Sequence, residues 1–296
     1  MNMPYHQRTI AKPARCKGVG IHSGREVHLT INPAPANHGI KFMRRDLPDS
    51  PDITAHFKKV VDTSLATVIG YDGFIVSTIE HLMASFAGLA IDNARVEIDA
   101  YEMPIMDGSA QPFTALIKET GIVTLDAPRC FFIVKKPLVL QQDGKSVGIY
   151  PSDGYKITCS ITYDHPLINE QALSIDISER DFEQEISKAR TFGFLQEYEQ
   201  LKRFGLARGG SLDNVVVIDR ENILNEGGLR YPDEFVRHKI LDCMGDFSLL
   251  GMPLIGHIKA EKSGHAFHHA FLQKFFESKD AWDTGTLEDA AGPRPD

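Results

Sequence analysis

Polar and apolar residues alternate in several short segments of the chain, and this alternation predicts β-strands. The clearest alternation lies at 25–32 (REVHLTIN) and at 94–99 (ARVEID). Further strand-like segments lie at 131–140, 145–150, 155–163, 215–218 and 254–259. The sequence shows no long βαβ alternation, so the pattern does not favour a doubly wound parallel sheet.

Helices are predicted between these strands, from apolar residues at helical spacing and from signals at the helix ends. The segment from Ser77 to Gly88 begins with a capping-box pattern, STIE, and ends at a glycine. The longest predicted helix spans 233–250 and begins after Pro232. Shorter helices are predicted at 111–119, 179–189, 195–204 and 266–278.

The order of these elements predicts an α+β fold in two halves, each built of two layers. The chain has 296 residues, which corresponds to about two domains of roughly 150 residues. We expect domain I at 1–126 and domain II at 127–282, with a linker at 124–130. The polar C-terminal segment 283–296 is expected to be disordered.

Composition and charge narrow the function classes. The 32 lysines and arginines against 40 aspartates and glutamates give a net charge of −8, which argues against general nucleic-acid binding. No run approaches about 18 apolar residues, and the N-terminus has no apolar h-region, so neither a transmembrane segment nor a signal peptide is expected. We therefore expect a cytoplasmic protein.

A metal site in this chain would use imidazole and carboxylate, because 12 histidines accompany only four scattered cysteines. On the longest predicted helix, His238 and Asp242 are one turn apart, and Asp246 lies one turn further on. This spacing suits two ligands of one zinc ion, although it also occurs in ordinary solvent-exposed His–Asp pairs. His81 is the best third ligand. Its neighbour Glu80 would be the general base, or would only cap the helix.

Two further segments contain side chains suited to amide hydrolysis. His265 lies in KSGH, between a strand and a helix, where Asp246 could hold its imidazole protonated as a general acid. The alternative is a loop histidine in solvent. Thr191, in KARTFGF, could donate to an oxyanion or simply pack as a β-branched residue. Three other histidines have open roles, as turn, surface or additional zinc-binding residues: His22, His268 and His269.

Seven segments in order along the chain together resemble one family. They are GVGIHSG at 18–24, STIEHLMASFAGLAIDNA at 77–94, PIMDGSAQPF at 104–113, SKARTFGF at 187–194, GGSLDNVVVID at 209–219, LRYPDEFVRHKILDCMGD at 229–246 and KSGHA at 262–266. This joint pattern is similar to the UDP-3-O-acyl-N-acetylglucosamine deacetylases, which are zinc amidohydrolases of bacterial lipid A synthesis. The resemblance covers nearly the whole chain.

The resemblance implies one catalytic zinc ion with the ligands His81, His238 and Asp242. It also implies Glu80 as general base and His265 as general acid, although Glu80 alone could serve as base and then as acid. The other implied roles are Thr191 as oxyanion donor, Asp246 as the partner of His265, Lys239 at the transition state or phosphate, and substrate contacts by Phe192, Lys239, Lys262, Gly210 and Tyr163.

The implied fold has two β-α-α-β sandwich domains with the site in the cleft between them. A βαβ insertion at about 194–219 would form a passage for an acyl chain, with Arg208 either pointing outward or limiting chain length. The implied reaction removes the N-acetyl group of acylated UDP-N-acetylglucosamine and releases acetate. We expect the protein to be a monomer.

Two other function classes stay open. A non-catalytic sugar-nucleotide or metal-binding protein with the same fold would need neither a base nor an acid. Another zinc hydrolase, such as a peptidase, lacks motif support, because Ser85 stands where HExxH needs its second histidine after His81. The reversed HxxEH motif also fails, since Ser77 occupies its first histidine position.

Overall fold

The computed structural model describes residues 3–290 and confirms the α+β class. The strands before residue 129 are β1 (His6–Ile10), β2 (Ala14–Val19), β3 (Glu26–Pro33), β4 (Ile40–Arg44), β5 (Ile53–Thr54), β6 (Val60–Asp62), β7 (Val68–Tyr71), β8 (Phe74–Val76), β9 (Ala94–Ile98) and β10 (Ile122–Pro128). Those after it are β11 (Phe131–Val134), β12 (Leu138–Gln142), β13 (Lys145–Tyr150), β14 (Tyr155–Thr162), β15 (Glu170–Asp176), β16 (Phe192–Phe194), β17 (Val216–Ile218), β18 (Leu254–Glu261) and β19 (Trp282–Gly285).

The helices complete each half. They are α1 (Glu80–Gly88), α2 (Gln111–Thr120), α3 (Glu179–Asp181), α4 (Leu195–Arg203), α5 (Glu234–Phe247), α6 (His265–Glu277) and α7 (Leu287–Ala290). A π-helical turn, Phe182–Ile186, follows α3. Within residues 3–290, no helix combines the length and the apolar composition that crossing a membrane requires.

The first half contains a five-stranded sheet in the order β2-β3-β9-β4-β5, with β4 and β9 parallel and the other pairs antiparallel. A small antiparallel sheet, β6-β7-β8, stands beside it. The second half contains a seven-stranded sheet in which β18 pairs with β11, β13 and β14. Strands β16 and β17 form a separate parallel pair joined through α4, which makes a βαβ unit.

Helices α1 and α5 join the two halves through one continuous hydrophobic core. Helix α1 is apolar on nearly every side, as expected for a helix buried between layers. The two helices cross where Gly245 faces the α1 backbone. A Cβ atom on Gly245 would lie 2.2 Å from the carbonyl oxygen of Glu80, so only glycine permits this approach.

Two local predictions in the first half are wrong. Helix α1 begins at Glu80 without a side-chain cap, and Thr78 has a positive φ of 61°, so the STIE segment is not a capping box. The Glu80 carboxylate instead accepts a hydrogen bond from the backbone of Thr67. The predicted linker 124–130 lies largely in strand β10, which pairs antiparallel with β1, the first strand of the chain.

The disorder predicted for 283–296 is wrong for the part that the structure describes. Strand β19 pairs with β11, and Leu287 in α7 is buried. Trp282 stacks on Phe275 and anchors this segment, which the polar composition of the tail did not indicate. Residues 291–296 lie outside the described residues, and the domain boundaries near 126 and 282 stay predictions.

Candidate active site

Helices α1 and α5 bring together the three predicted zinc ligands. His81 lies in the first turn of α1, while His238 and Asp242 lie one turn apart on α5, and all three are buried. One potential ligand atom from each residue lies within 4.8 Å of the other two. Asp242 Oδ1 is 3.3 Å from His238 Nε2 and 3.9 Å from His81 Nε2.

The donor set fits a divalent metal ion. His238 Nδ1 lies 3.0 Å from the carbonyl oxygen of Ala189, which directs Nε2 towards Asp242. His81 Nδ1 is buried without a hydrogen-bond partner among the described residues. Burial lowers the pKa of His81 to about 3, so its imidazole is neutral, as a ligand must be. Burial alone would raise the pKa of Asp242, but Lys239 and His238 outweigh burial and keep it ionised.

A buried ion pair anchors the segment that contacts His238. Arg190 Nε and Nη2 lie 2.8 and 3.0 Å from the two carboxylate oxygens of Glu234, the first residue of α5. Arg190 Nη2 also donates to the carbonyl oxygen of Gly228 at 2.8 Å. Because Ala189 and Thr191 flank Arg190, this pair ties both residues to the start of the helix that carries His238.

Glu80 places its carboxylate beside the ligand set. The Thr67 backbone N–H donates to Glu80 Oε2 at 3.1 Å, and Glu80 Oε1 lies 3.9 Å from His265 Nε2. Burial raises the pKa of Glu80 to about 7. A carboxylate with this pKa is suited to accept a proton near neutral pH.

His265, the first residue of α6, faces Glu80 across the cleft. Its Nδ1 lies 2.7 Å from Asp246 Oδ2, as the sequence predicted for this pair. Burial alone would lower the pKa of His265, but the charge and hydrogen bond of Asp246 outweigh burial and raise it to about 10. The imidazole is therefore protonated at neutral pH, with Nε2 directed at the cleft.

His268 is buried and belongs to the same cluster, so a surface position for it is wrong. Its Nδ1 lies 2.7 Å from Asp246 Oδ2, and its Nε2 lies 2.9 Å from Ser263 Oγ. His269 is partly buried, and its Nε2 lies 3.1 Å from the carbonyl oxygen of Phe57. The sequence pattern showed both histidines but not that their nitrogens have protein partners.

Comparison with known proteins identifies the family of this chain. A family model described as UDP-3-O-acyl N-acetylglycosamine deacetylase matches residues 7–277. The chain belongs to this deacetylase family. A UDP-3-O-acyl-N-acetylglucosamine deacetylase of Myxococcus xanthus is 50% identical over 94% of this chain and 89% of its own length. Proteins of the same name from Chromohalobacter salexigens and Saccharophagus degradans are 47% and 48% identical, over 98% and 96% of this chain and 96% and 94% of their own lengths.

The cleft of this deacetylase-family chain contains other predicted site residues around the ligand set. Thr191, Phe192 and Lys239 line it. Lys239 Nζ donates to Asp242 Oδ2 at 2.9 Å and lies 5.6 Å from the centre of the Phe192 ring. Lys145, at the start of β13, lines the same cleft. Sequence reasoning missed it because a lysine on a short strand has no distinguishing neighbours.

The three other predicted substrate contacts lie apart from the ligand set. Tyr163 lines an adjoining hollow with Phe194 and packs at 5.9 Å, ring centre to ring centre, against Phe192. Gly210 lines an apolar passage that shares Glu80, His81 and Thr191 with the cleft. Lys262 is exposed in the turn after β18 and is not among the residues that line the cleft.

The apolar passage has a volume of about 480 Å³ and runs from the ligand set into the βαβ unit. Glu80 and Thr191 lie on its wall together with apolar residues such as Leu201, Leu212 and Val217. Arg208, which lies in the insertion, is exposed and does not line the passage. Of its two predicted orientations, the structure therefore favours the outward one.

His22 also lines the passage, in the glycine-rich turn after β2. The turn is held by the buried carboxylate of Glu102, which accepts the backbone N–H groups of His22 and Ser23, each at 2.8 Å. Burial lowers the pKa of His22, and its Nδ1 has no hydrogen-bond partner among the described residues. The lowered pKa favours the neutral imidazole at the wall of the passage.

Proposed function

We propose that this protein is a zinc-dependent deacetylase that hydrolyses the N-acetyl group of UDP-3-O-acyl-N-acetylglucosamine. The products would be UDP-3-O-acyl-glucosamine and acetate, in the committed step of lipid A biosynthesis. The arrangement that carries this proposal is Glu80 and the His265 imidazolium, 3.9 Å apart beside a three-residue ligand set. Family membership and the names of the relatives support the substrate.

His81, His238 and Asp242 would hold one zinc ion. When bound, zinc lowers the pKa of a water molecule from about 16 towards about 7 and acts as a Lewis acid on a carbonyl group. Lys239, which contacts Asp242, would keep that carboxylate ionised and oriented. The carbonyl oxygen of Ala189 would accept a hydrogen bond from His238 Nδ1 and so orient His238 Nε2 towards the ion.

The proton transfers would be divided between the two sides of the cleft. Glu80, with a pKa of about 7, would accept a proton from the attacking water. The Thr191 hydroxyl would donate to the developing oxyanion. His265 Nε2 would then protonate the departing nitrogen as the C–N bond breaks, and Asp246 would stabilise the imidazolium until that step.

The surrounding surfaces would select the substrate. Lys145 and Lys239 supply positive charge to the cleft. Lys262, outside the cleft, would contact the diphosphate. The hollow containing Tyr163 would accept the uracil ring by aromatic contact. The passage through the βαβ unit is lined mainly by apolar side chains, as an acyl chain requires.

The test measures acetate release from acylated UDP-N-acetylglucosamine. Wild-type protein should be active with one bound zinc ion, while metal-stripped protein and Glu80→Ala should lose most activity. Glu119→Ala, on the exposed end of α2, is the matched control and should behave as wild type. Full activity in the stripped sample or in Glu80→Ala would contradict the mechanism. Substrate binding without acetate release in wild type would favour the non-catalytic sugar-nucleotide binder.

A further inference from the structure

Thr67, the residue before β7, contacts both sides of the catalytic cleft. It is buried, and the sequence pattern gives no sign of a function for it. Its backbone N–H donates to Glu80 Oε2 at 3.1 Å, and its carbonyl oxygen accepts the Ile79 N–H at 3.4 Å. The backbone of Thr67 is therefore attached to the start of α1, beside the general base.

The side chain of Thr67 reaches the other proton-transfer group. Its hydroxyl donates to Asp246 Oδ1 at 2.5 Å and lies 3.3 Å from His265 Nδ1. The second carboxylate oxygen of Asp246 contacts the Nδ1 atoms of His265 and His268. The Thr67 hydroxyl is thus the donor that fixes the free end of the carboxylate and, with it, the plane in which His265 is held.

We propose that Thr67 is a positioning residue that fixes the positions of Glu80 and the His265–Asp246 pair relative to each other. This inference rests on the proposed deacetylase function. Catalytic groups must be held to about 0.5 Å and 10–20° by their supporting contacts, and Thr67 is a single residue that supports both groups. Its contribution acts through Asp246 and Glu80, since Thr67 itself does not line the ligand-set cleft.

The substitution Thr67→Val isolates the hydroxyl, because valine has the same shape and keeps the backbone contacts to Glu80 and Ile79. Asp246 Oδ1 would lose its donor, and His265 would be held less firmly. General acid catalysis contributes about 10²–10⁴-fold, so losing part of it should lower kcat by about tenfold to a hundredfold. KM should stay within about twofold, and zinc content should be unchanged. Thr67→Ser keeps the hydroxyl and should restore most of kcat.

Thr114→Val is the matched control, since Thr114, in α2, is also buried and its hydroxyl donates to the carbonyl oxygen of Ala110. Its kcat should equal that of wild type, whatever its melting temperature. If Thr67→Val does not fold, Thr67→Ala removes the same hydroxyl without the extra methyl groups. Equal loss of kcat in Thr67→Ser and Thr67→Val, or equal loss in Thr114→Val, would overturn the inference.

A double-mutant cycle separates positioning from general destabilisation. In a His265→Ala background, Thr67→Val should cause little further loss of kcat, because groups that act as a unit are non-additive. A full second loss in that background would show that Thr67 does not act through His265. Wild-type protein that releases no acetate would instead contradict the proposed function, so the two failures are distinguishable.

Discussion

Helix α5 contributes an aspartate to each of two clusters that have the same composition and different internal contacts. The ligand cluster comprises His81, His238 and Asp242, and the acid cluster comprises His265, His268 and Asp246. Within each cluster, one potential ligand atom per residue lies within 4.8 Å of the others. Both His–Asp distances are 2.7 Å in the acid cluster, but they are 3.3 and 3.9 Å in the ligand cluster.

Despite their equal composition, the two clusters differ in how many of their nitrogen and oxygen atoms already have protein partners. Asp246 already accepts three hydrogen bonds, which uses most of the acceptor capacity of a carboxylate. In the ligand cluster, His81 Nδ1 has no hydrogen-bond partner among residues 3–290. We therefore expect zinc at the ligand cluster and a charged imidazolium at the acid cluster.

Removing each aspartate should give the largest contrast between the clusters. Asp242→Ala should abolish zinc binding and lower acetate release by about 10³-fold or more, because the ligand set loses its carboxylate. Asp246→Ala should retain zinc and lower acetate release by about 10²–10⁴-fold, through loss of acid catalysis. Metal analysis of both purified variants makes the comparison. Equal zinc loss in the two would remove the distinction that we draw.

Arg190→Met should weaken the support of the ligand cluster alone. The substitution leaves Glu234 buried without its cation, so we expect about 3–5 kcal/mol lower unfolding free energy. Arg237→Met, on the helix that contains Glu234, is the matched control. Its partners Asp233 and Glu185 are partly exposed, and such pairs contribute about 0–1 kcal/mol. Denaturant unfolding measures both variants. Similar losses in both would mean that the buried pair has no special role.

The acid cluster should make stability depend on pH in a defined direction. Although burial opposes it, Asp246 raises the pKa of His265 from 6.5 to about 10. The stabilisation is therefore complete below pH 6.5 and is lost as the pH rises through 10. We compare the unfolding free energies of wild type and His265→Gln. The excess stability of wild type should be about 1–3 kcal/mol larger at pH 6 than at pH 10.5. Zinc content is measured at both pH values. A pH-independent difference would contradict a charged His265.

Ser263→Ala should have the smallest effect. It removes the hydroxyl beside His268 Nε2 at the partly exposed edge of the acid cluster, where water can replace it. We expect a change in unfolding free energy of at most about 1 kcal/mol, with kcat within about twofold of wild type. A large fall in kcat would show that the catalytic contacts of the cluster extend to Ser263.

The sequence predicts well those site residues that lie close together along the chain. His238, Asp242 and Asp246 share one helix face because helical periodicity fixes it. Glu80 and His81 share the first turn of α1, although the sequence suggested a capping role that the structure does not show. Resemblance, not periodicity, linked these segments to each other.

Contacts between distant segments could not be predicted in this way. Thr67 is 179 residues from Asp246 in the chain, and nothing in its neighbours distinguishes it from other buried threonines. The burial of His268 depends on the packing of α6 against α5, and that of β19 on the pairing partner that β11 offers. Such features follow from tertiary packing, which a single sequence does not reveal.

The close crossing of α1 and α5 at Gly245 limits how far apart the two halves of the site can lie. A methyl group there would start 2.2 Å from Glu80 O, whereas a normal contact needs at least about 3 Å, so the helices would separate by nearly 1 Å. That displacement is about twice the error that a catalytic arrangement accepts. The lack of a side chain at Gly245 therefore determines the distance between His81 on α1 and the two ligands on α5.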